Sequence, residues 1–273
     1  MFAMPMVTSI AAMLTIRYSL WSYQYFSAET ATAIAIGTAM SFVATGGFTQ
    51  AIARRGLMYL SQKEYGLARR LSFRIVFMGV AATVVLGAAA FALNWLFEMF
   101  PWKMAWLTFL YYSFLSAIWL SITILYMLKR ELLFTIVTML GIGAVVLMHE
   151  FYHMTMVTSQ VIALSATAAL SLALATYLFK SAEMEKETGV EISPLPRSSL
   201  VVYTVAPYFT YGLLYFAFLF LDRLISWSTT NNVYMPYVVW FRGQYELGLD
   251  WAILALIIPM GAVEMILNQF VES

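Results

Sequence analysis

The chain contains no cysteine, and only two of its 273 residues are histidine. Without cysteine there is neither a disulfide framework nor a thiolate metal site. Charge is scarce as well, because Asp, Glu, Lys and Arg make up 11% of the residues and leave a formal net charge of +1. An average soluble domain has about 25% charged residues. The near-zero net charge gives no indication of a nucleic-acid partner, and we expect none.

Apolar sequence fills most of the chain, with 62% hydrophobic residues. The runs 132–148, 161–179 and 200–221 contain no charged residue. An apolar stretch of about 18 residues is long enough to cross the hydrocarbon core of a bilayer as a helix. Only helices and closed barrels satisfy their backbone groups in lipid, and long runs without alternation are not barrel strands. The sequence therefore predicts an all-α protein, a polytopic bundle of transmembrane helices.

Positive charge is confined to some of the gaps between the predicted spans. We predict eight helices, at about 2–25, 29–53, 70–97, 102–128, 131–149, 154–180, 200–223 and 248–270. Eleven of the fifteen Lys and Arg residues fall in the second, fourth and sixth gaps or at the helix ends that border them, and these gaps lie on one side if the helices alternate. Cytoplasmic loops are enriched in Lys and Arg. We therefore expect that side, and with it both termini, to be cytoplasmic.

A charged segment with two prolines, 181–199, divides the spans into six and two. We interpret it as a cytoplasmic linker between a six-helix lobe, 1–180, and the start of a second lobe, 200–273. Within the second part, 226–249 is rich in Tyr and Trp, which prefer the membrane interface. We expect this segment to lie along the outer headgroups. The abrupt apolar start of the chain suggests a fragment or a shortened form.

The two histidines belong to a motif that is typical of zinc proteases. His149, Glu150 and His153 match H-E-x-x-H, in which two histidines one helical turn apart bind zinc and the glutamate activates water. However, no third ligand is recognisable, and the motif falls where the fifth span must turn into the sixth. We expect a polar turn and no cofactor, and an intramembrane zinc metalloprotease remains an alternative.

Four charged side chains inside spans or at their ends are candidates for substrate contacts in a cavity: Arg17, Asp222, Arg223 and Glu264. A charge at membrane depth is costly and usually faces a cavity or a partner. Arg17 either faces such a cavity or extends to the interface, and Glu264 either contacts substrate or protons or reaches cytoplasmic water.

Asp222 and Arg223 are adjacent, so their side chains point about 100° apart on a helix. We expect them to bind groups of the outer segment. Arg242, Glu246 and Asp250 are the candidate partners there.

Three segments carry a resemblance to a known family: 45–55, 221–227 and 257–264. With these segments and the six-helix lobe, the chain resembles the multidrug/oligosaccharidyl-lipid/polysaccharide flippase superfamily, in particular its PelG-type exopolysaccharide transporters. The match covers the first lobe and the start of the second.

The resemblance implies a transporter of the bacterial inner membrane rather than an enzyme. Such a protein moves an exopolysaccharide or a lipid-linked saccharide outward by alternating access. Its implied partners are membrane lipid, the saccharide, a cytoplasmic glycosyltransferase and other export subunits. A non-transporting scaffold subunit is the second alternative.

Overall fold

A computed structural model describes residues 26–186, 196–229, 237, 239–249, 251–252, 255 and 259. This part of the chain contains six long helices and no strand. They are α1 (Ala28–Ser61), α2 (Tyr65–Phe97), α3 (Trp102–Met127), α4 (Glu131–Glu150), α5 (Met156–Lys186) and α6 (Ser198–Ser228). All six are long and apolar enough to cross a membrane. The predicted all-α membrane fold is therefore confirmed, while the predicted first span and most of the eighth lie outside the described residues.

Local sequence explains where several helices begin and end. The Ser27 side chain accepts a hydrogen bond from the Thr30 backbone N–H at 3.3 Å and caps α1. Between α2 and α3, the Asn94 amide bonds both the backbone N–H and the carbonyl of Phe100, at 2.8 and 3.1 Å. Pro101 then precedes the first residue of α3. The Ser27 cap satisfies a backbone N–H that a helix start leaves without a partner, and Asn94 satisfies both backbone groups of Phe100 in the turn.

The prediction placed three helix ends too early, those of α1, α6 and α5. α1 continues past Arg54 and Arg55 to Ser61, and α6 continues past 223 to Ser228. In both places the sequence suggested an end because charge follows the apolar run. Likewise α5 continues to Lys186, into the segment predicted as linker. Charged residues are good helix formers, so the helices extend beyond the hydrocarbon-crossing part.

The helices form a bundle around α1 and α3, which pack against each other. α2 packs on α1, α5 packs on α3, and α4 packs mainly on α5, while α6 is attached to the bundle through α1. Close approach of α1 and α3 requires Gly37, where a Cβ would lie 2.7 Å from the Thr108 carbonyl oxygen. The Thr108 hydroxyl also donates to the Ala33 carbonyl at 3.1 Å. Small residues at such crossings are the usual means of packing membrane helices.

The two ends of the bundle differ in charge. Arg69 at the start of α2 forms an ion pair with Glu183 near the end of α5, with Nε and Oε2 2.6 Å apart. The basic connection between α1 and α2 and the start of the segment after α5 therefore lie at the same end of the bundle. The alternation of spans predicted this for the second and sixth gaps. We call this end of the bundle the basic end, and it also contains the turn 128–130 between α3 and α4. The opposite end contains the turns 98–101 and 151–155.

Large apolar side chains cover the outside of the bundle. Examples on three different helices are Phe77, Leu132 and Phe218, each more than 70% exposed. A soluble protein does not present apolar surface on this scale, whereas lipid tails solvate it. The exposed surface agrees with a membrane-embedded protein.

A buried polar pair joins α3 to α5. The Tyr111 hydroxyl lies 2.5 Å from Oε1 of Gln160, and both residues are fully buried. We expect Tyr111→Phe to lower the free energy of unfolding in detergent by about 1 kcal/mol, because interhelical hydrogen bonds in membranes contribute about 0.6 to 1.7 kcal/mol. Tyr177→Phe is the control, since Tyr177 is exposed. Equal unfolding midpoints for the two variants would contradict a structural role for this pair.

Candidate functional site

A buried ion pair connects α6 to the segment that follows it. Arg223 Nε lies 3.1 Å from Glu246 Oε2, and the two residues are only 9% and 8% exposed. The Trp227 indole N–H donates to the other carboxylate oxygen of Glu246 at 3.1 Å. Arg223 and Trp227 are one turn apart on α6, so both face the same carboxylate. The guanidinium also lies 4.8 Å from the centre of the Phe220 ring.

Asp222 binds the same segment from an exposed position. Its Oδ2 accepts a hydrogen bond from the Tyr245 hydroxyl at 2.9 Å, and its Oδ1 accepts from the Arg223 backbone N–H at 2.8 Å. The expected pairing of Asp222 and Arg223 with the outer segment is therefore confirmed. Of the three candidate partners, Glu246 pairs with Arg223, Arg242 donates to the Thr229 carbonyl, and Asp250 lies outside the described residues.

The segment 239–249, which we call the clasp, also binds α1. The Phe241 backbone N–H donates to the Thr32 hydroxyl at 3.1 Å, and the Trp240 N–H donates to the Trp227 carbonyl at 3.0 Å. The Phe241 side chain packs on a buried cluster formed by α1 and α6. The clasp thus ties these two helices together at the end of the bundle opposite the basic end.

Burial decides the protonation behaviour of the clasp carboxylate. It raises the pKa of Glu246 above its ordinary value of 4.5, while the positive charge of Arg223 and the hydrogen bonds from Arg223 and Trp227 lower it. The pKa is raised overall, because removal from water destabilises the charged form more than Arg223 and Trp227 stabilise it.

Polar side chains form a line along α6, and from Tyr208 onward this line lies on a side that does not face α1. They follow one another at intervals of four, three, four and seven residues: Thr204, Tyr208, Tyr211, Tyr215 and Asp222. At 100° per residue they fall within about 60° of the helix circumference. The three tyrosines and the aspartate are exposed, and the rings of Tyr211 and Tyr215 stack with centres 6.1 Å apart. We call this line the tyrosine stripe.

The side of α6 that faces α1 is built differently from the stripe. Gly212 meets Gly46, and Gly47 meets Phe209, so closely that side chains would collide with backbone at these positions. We call Gly46, Gly47 and Gly212 the glycine seam. Sequence reasoning selected only Asp222 from the stripe, although the four- and three-residue spacing of tyrosines in an apolar run was a visible signal.

The histidine motif does not form the helical arrangement that a zinc site requires. α4 ends at Glu150, and His153 lies in the following turn with a φ of 53°. His149 is hydrogen-bonded through Nδ1 to the Met154 carbonyl at 2.9 Å. Among the described residues, no three His, Asp or Glu side chains are grouped to hold a metal ion. The turn expected here is what the structure contains, and it places His149 in α4 and His153 outside it.

The remaining two candidates, Arg17 and Glu264, lie outside the described residues, so their role in a cavity stays a prediction. Comparison of the chain with protein-family models, curated proteins and solved structures gives no match. The stripe, the seam and the clasp are therefore the features of the described residues that bear on function.

Proposed function

We propose that this chain is a flippase-like membrane transporter that moves an exopolysaccharide or a lipid-linked saccharide outward across the bacterial inner membrane. The observation that supports this most is the tyrosine stripe. Hydroxyl and carboxylate groups are costly to expose to hydrocarbon, so a membrane helix that presents a row of them suits a hydrated cavity. The resemblance to polysaccharide flippases points to the same kind of substrate.

The length and chemistry of the stripe suit a sugar chain. From Thr204 to Asp222 the helix rises about 27 Å at 1.5 Å per residue, close to the thickness of the hydrocarbon core. A tyrosine offers an apolar ring face to the C–H face of a sugar and a hydroxyl to its polar edge. Repeated, uncharged contacts of this type hold a saccharide without trapping it at one position, which a translocation path needs.

The contacts of α6 suit alternating access. It packs on α1 through the glycine seam, where the rings of Phe209 and Phe216 lie against Gly47 and Gly46, and it has no comparable contact with the other described helices. The clasp holds the same two helices at one end. Pro207 removes one backbone hydrogen bond from α6 and provides a point of bending. In the proposed cycle, α6 rocks against α1 and opens the stripe to each side of the membrane in turn.

The positive-inside rule gives the proposed direction. With the basic end in the cytoplasm, both termini are cytoplasmic, and the stripe begins near the cytoplasmic surface at Thr204. A cytoplasmic glycosyltransferase would then deliver the saccharide at the basic end, and other export subunits would receive it on the far side.

The test is the simultaneous replacement of Tyr208, Tyr211 and Tyr215 by phenylalanine. Each lost hydroxyl removes a hydrogen bond worth about 0.5 to 1.5 kcal/mol, so we expect saccharide export by cells to fall about tenfold or more. Tyr203→Phe is the control on the same helix, because Tyr203 is exposed but lies off the stripe. Export is compared at equal amounts of protein in the membrane.

Normal export by the triple variant would contradict the proposal. If deletion of the chain still abolished export in that case, the result would instead support the scaffold alternative.

A further inference from the structure

A cavity of about 470 Å³ opens at the basic end, where α1, α2, α3 and α5 meet. Its inner wall is apolar and includes Leu57, Leu60, Met127 and Leu178. Its polar lining includes two cations, Lys129 and Arg130, together with Ser181 and the carboxylate of Glu185. The cavity is distant from the clasp, and its volume is within the range of about 300 to 1,000 Å³ that is typical of ligand sites.

The backbone of the two cationic residues forms a tight turn. The Lys129 N–H donates to the Tyr126 carbonyl at 2.9 Å, and the Arg130 N–H donates to the Leu125 carbonyl at 3.0 Å. Lys129 has a φ of 57°, and both side chains are exposed. α4 begins directly after the turn without a side-chain cap, so the partial positive charge of its N-terminus adds to theirs.

We propose that this cavity binds an anionic phospholipid from the surrounding membrane. Lys129 and Arg130 bind the phosphate, and part of an acyl chain lies on Leu57, Leu60 and Leu178. The cavity is amphipathic in the same direction as a lipid, with charge at the helix ends and apolar surface within the bundle. Among the described residues that line the cavity there are two cations and one carboxylate, that of Glu185, and this balance favours an anionic over a neutral headgroup. Basic pockets between helices on the cytoplasmic side are typical sites for acidic lipids.

The lipid would act as a structural ligand. It fills the space between helices that pack directly against one another elsewhere, and it therefore stabilises the basic end of the bundle. This inference does not depend on transport and stands for a scaffold as well as for a transporter.

The experiment measures lipid that remains bound to the purified full chain. Protein in detergent is mixed with phosphatidylglycerol or with phosphatidylcholine, and bound lipid is counted by native mass spectrometry. Lys129→Gln with Arg130→Gln should reduce bound phosphatidylglycerol about thirtyfold, because each of the two cations near an anionic surface contributes about 1 kcal/mol. Phosphatidylcholine should bind weakly to every variant.

The matched control removes the same charge from the same end. Arg54 and Lys63 are exposed at the basic end and do not line the cavity. Arg54→Gln with Lys63→Gln should therefore change bound phosphatidylglycerol less than about twofold, since neither side chain lines the cavity and salt screens exposed charges outside it. An equal loss in both double variants would overturn the proposal, and so would equal binding of both lipids by the unmodified protein.

A third variant tests the cavity itself. Leu57→Trp leaves all cations in place and fills part of the apolar wall, so we expect it to displace the lipid as well. Retention of phosphatidylglycerol by this variant at the unmodified level would show that the phosphate binds at the surface outside the cavity, which contradicts the proposal.

Discussion

Gly212→Ala is expected to separate α6 from α1. A Cβ at Gly212 would lie 2.9 Å from the Gly46 backbone carbon and even closer to its carbonyl oxygen. Backbone atoms cannot move aside as a flexible side chain does, so the whole helix has to shift. Overpacking of this kind typically costs about 1 to 3 kcal/mol, and α6 has no comparable packing on the other described helices. The unfolding midpoint in detergent should fall clearly, and saccharide export should be lost.

Gly143→Ala is the matched control for this prediction. Gly143 is also inside a helix, but it is exposed, and a Cβ there would have no neighbour within 4 Å. Because alanine is favoured over glycine in helices by about 1 kcal/mol, this variant should be neutral or slightly stabilising. If both variants unfolded at the same temperature, the seam would not be the contact that attaches α6.

The apolar runs predicted helices α2 to α5 to within a few residues of their observed ends, apart from the start of α2 and the end of α5. The bilayer requires long uncharged stretches, so charge marks their limits well. The expectation that a helix ends where charged residues begin was wrong at α1 and α6, where charged residues continue the helix. Arg55 there donates to the Thr204 carbonyl at 3.4 Å, and Arg223 binds Glu246. These partners are distant in sequence, so local composition could not reveal that the charges are satisfied.

In the candidate site, too, one part could be predicted from the sequence and another could not. Sequence predicted that Asp222 and Arg223 bind the outer segment, because unpaired charges next to a membrane need partners. It could not select Glu246 from the three candidates, since that choice depends on how the chain returns over α6. The cavity at the basic end could not be predicted from the sequence, because four helices contribute to its wall and no single stretch of the chain contains more than a few of the lining residues.

Glu246→Ala is expected to have the largest effect on stability of any substitution in the clasp. It leaves the Arg223 guanidinium buried without its carboxylate and removes the acceptor of the Trp227 indole. Breaking a buried ion pair from one side costs about 3 to 5 kcal/mol. The unfolding midpoint should fall accordingly. Adding Arg223→Ala should restore part of the loss, because the uncompensated charge is then gone. Strictly additive losses would show that the two side chains do not interact.

Glu246→Gln should cost much less than Glu246→Ala, and its cost relative to the unmodified protein should depend on pH. The glutamine oxygen still accepts from Trp227 and Arg223, and it resembles the neutral carboxyl that burial favours. Because the folded pKa of Glu246 is raised above 4.5, the folded protein holds this proton more tightly than the unfolded chain does. The contribution of Glu246 to stability is therefore full below the unfolded pKa and declines as the pH rises through the folded one. Unfolding midpoints of the unmodified protein relative to Glu246→Gln should fall over that window and stay level above it. A difference that increased with pH would mean that the charged carboxylate, not the neutral one, is the form that the clasp favours.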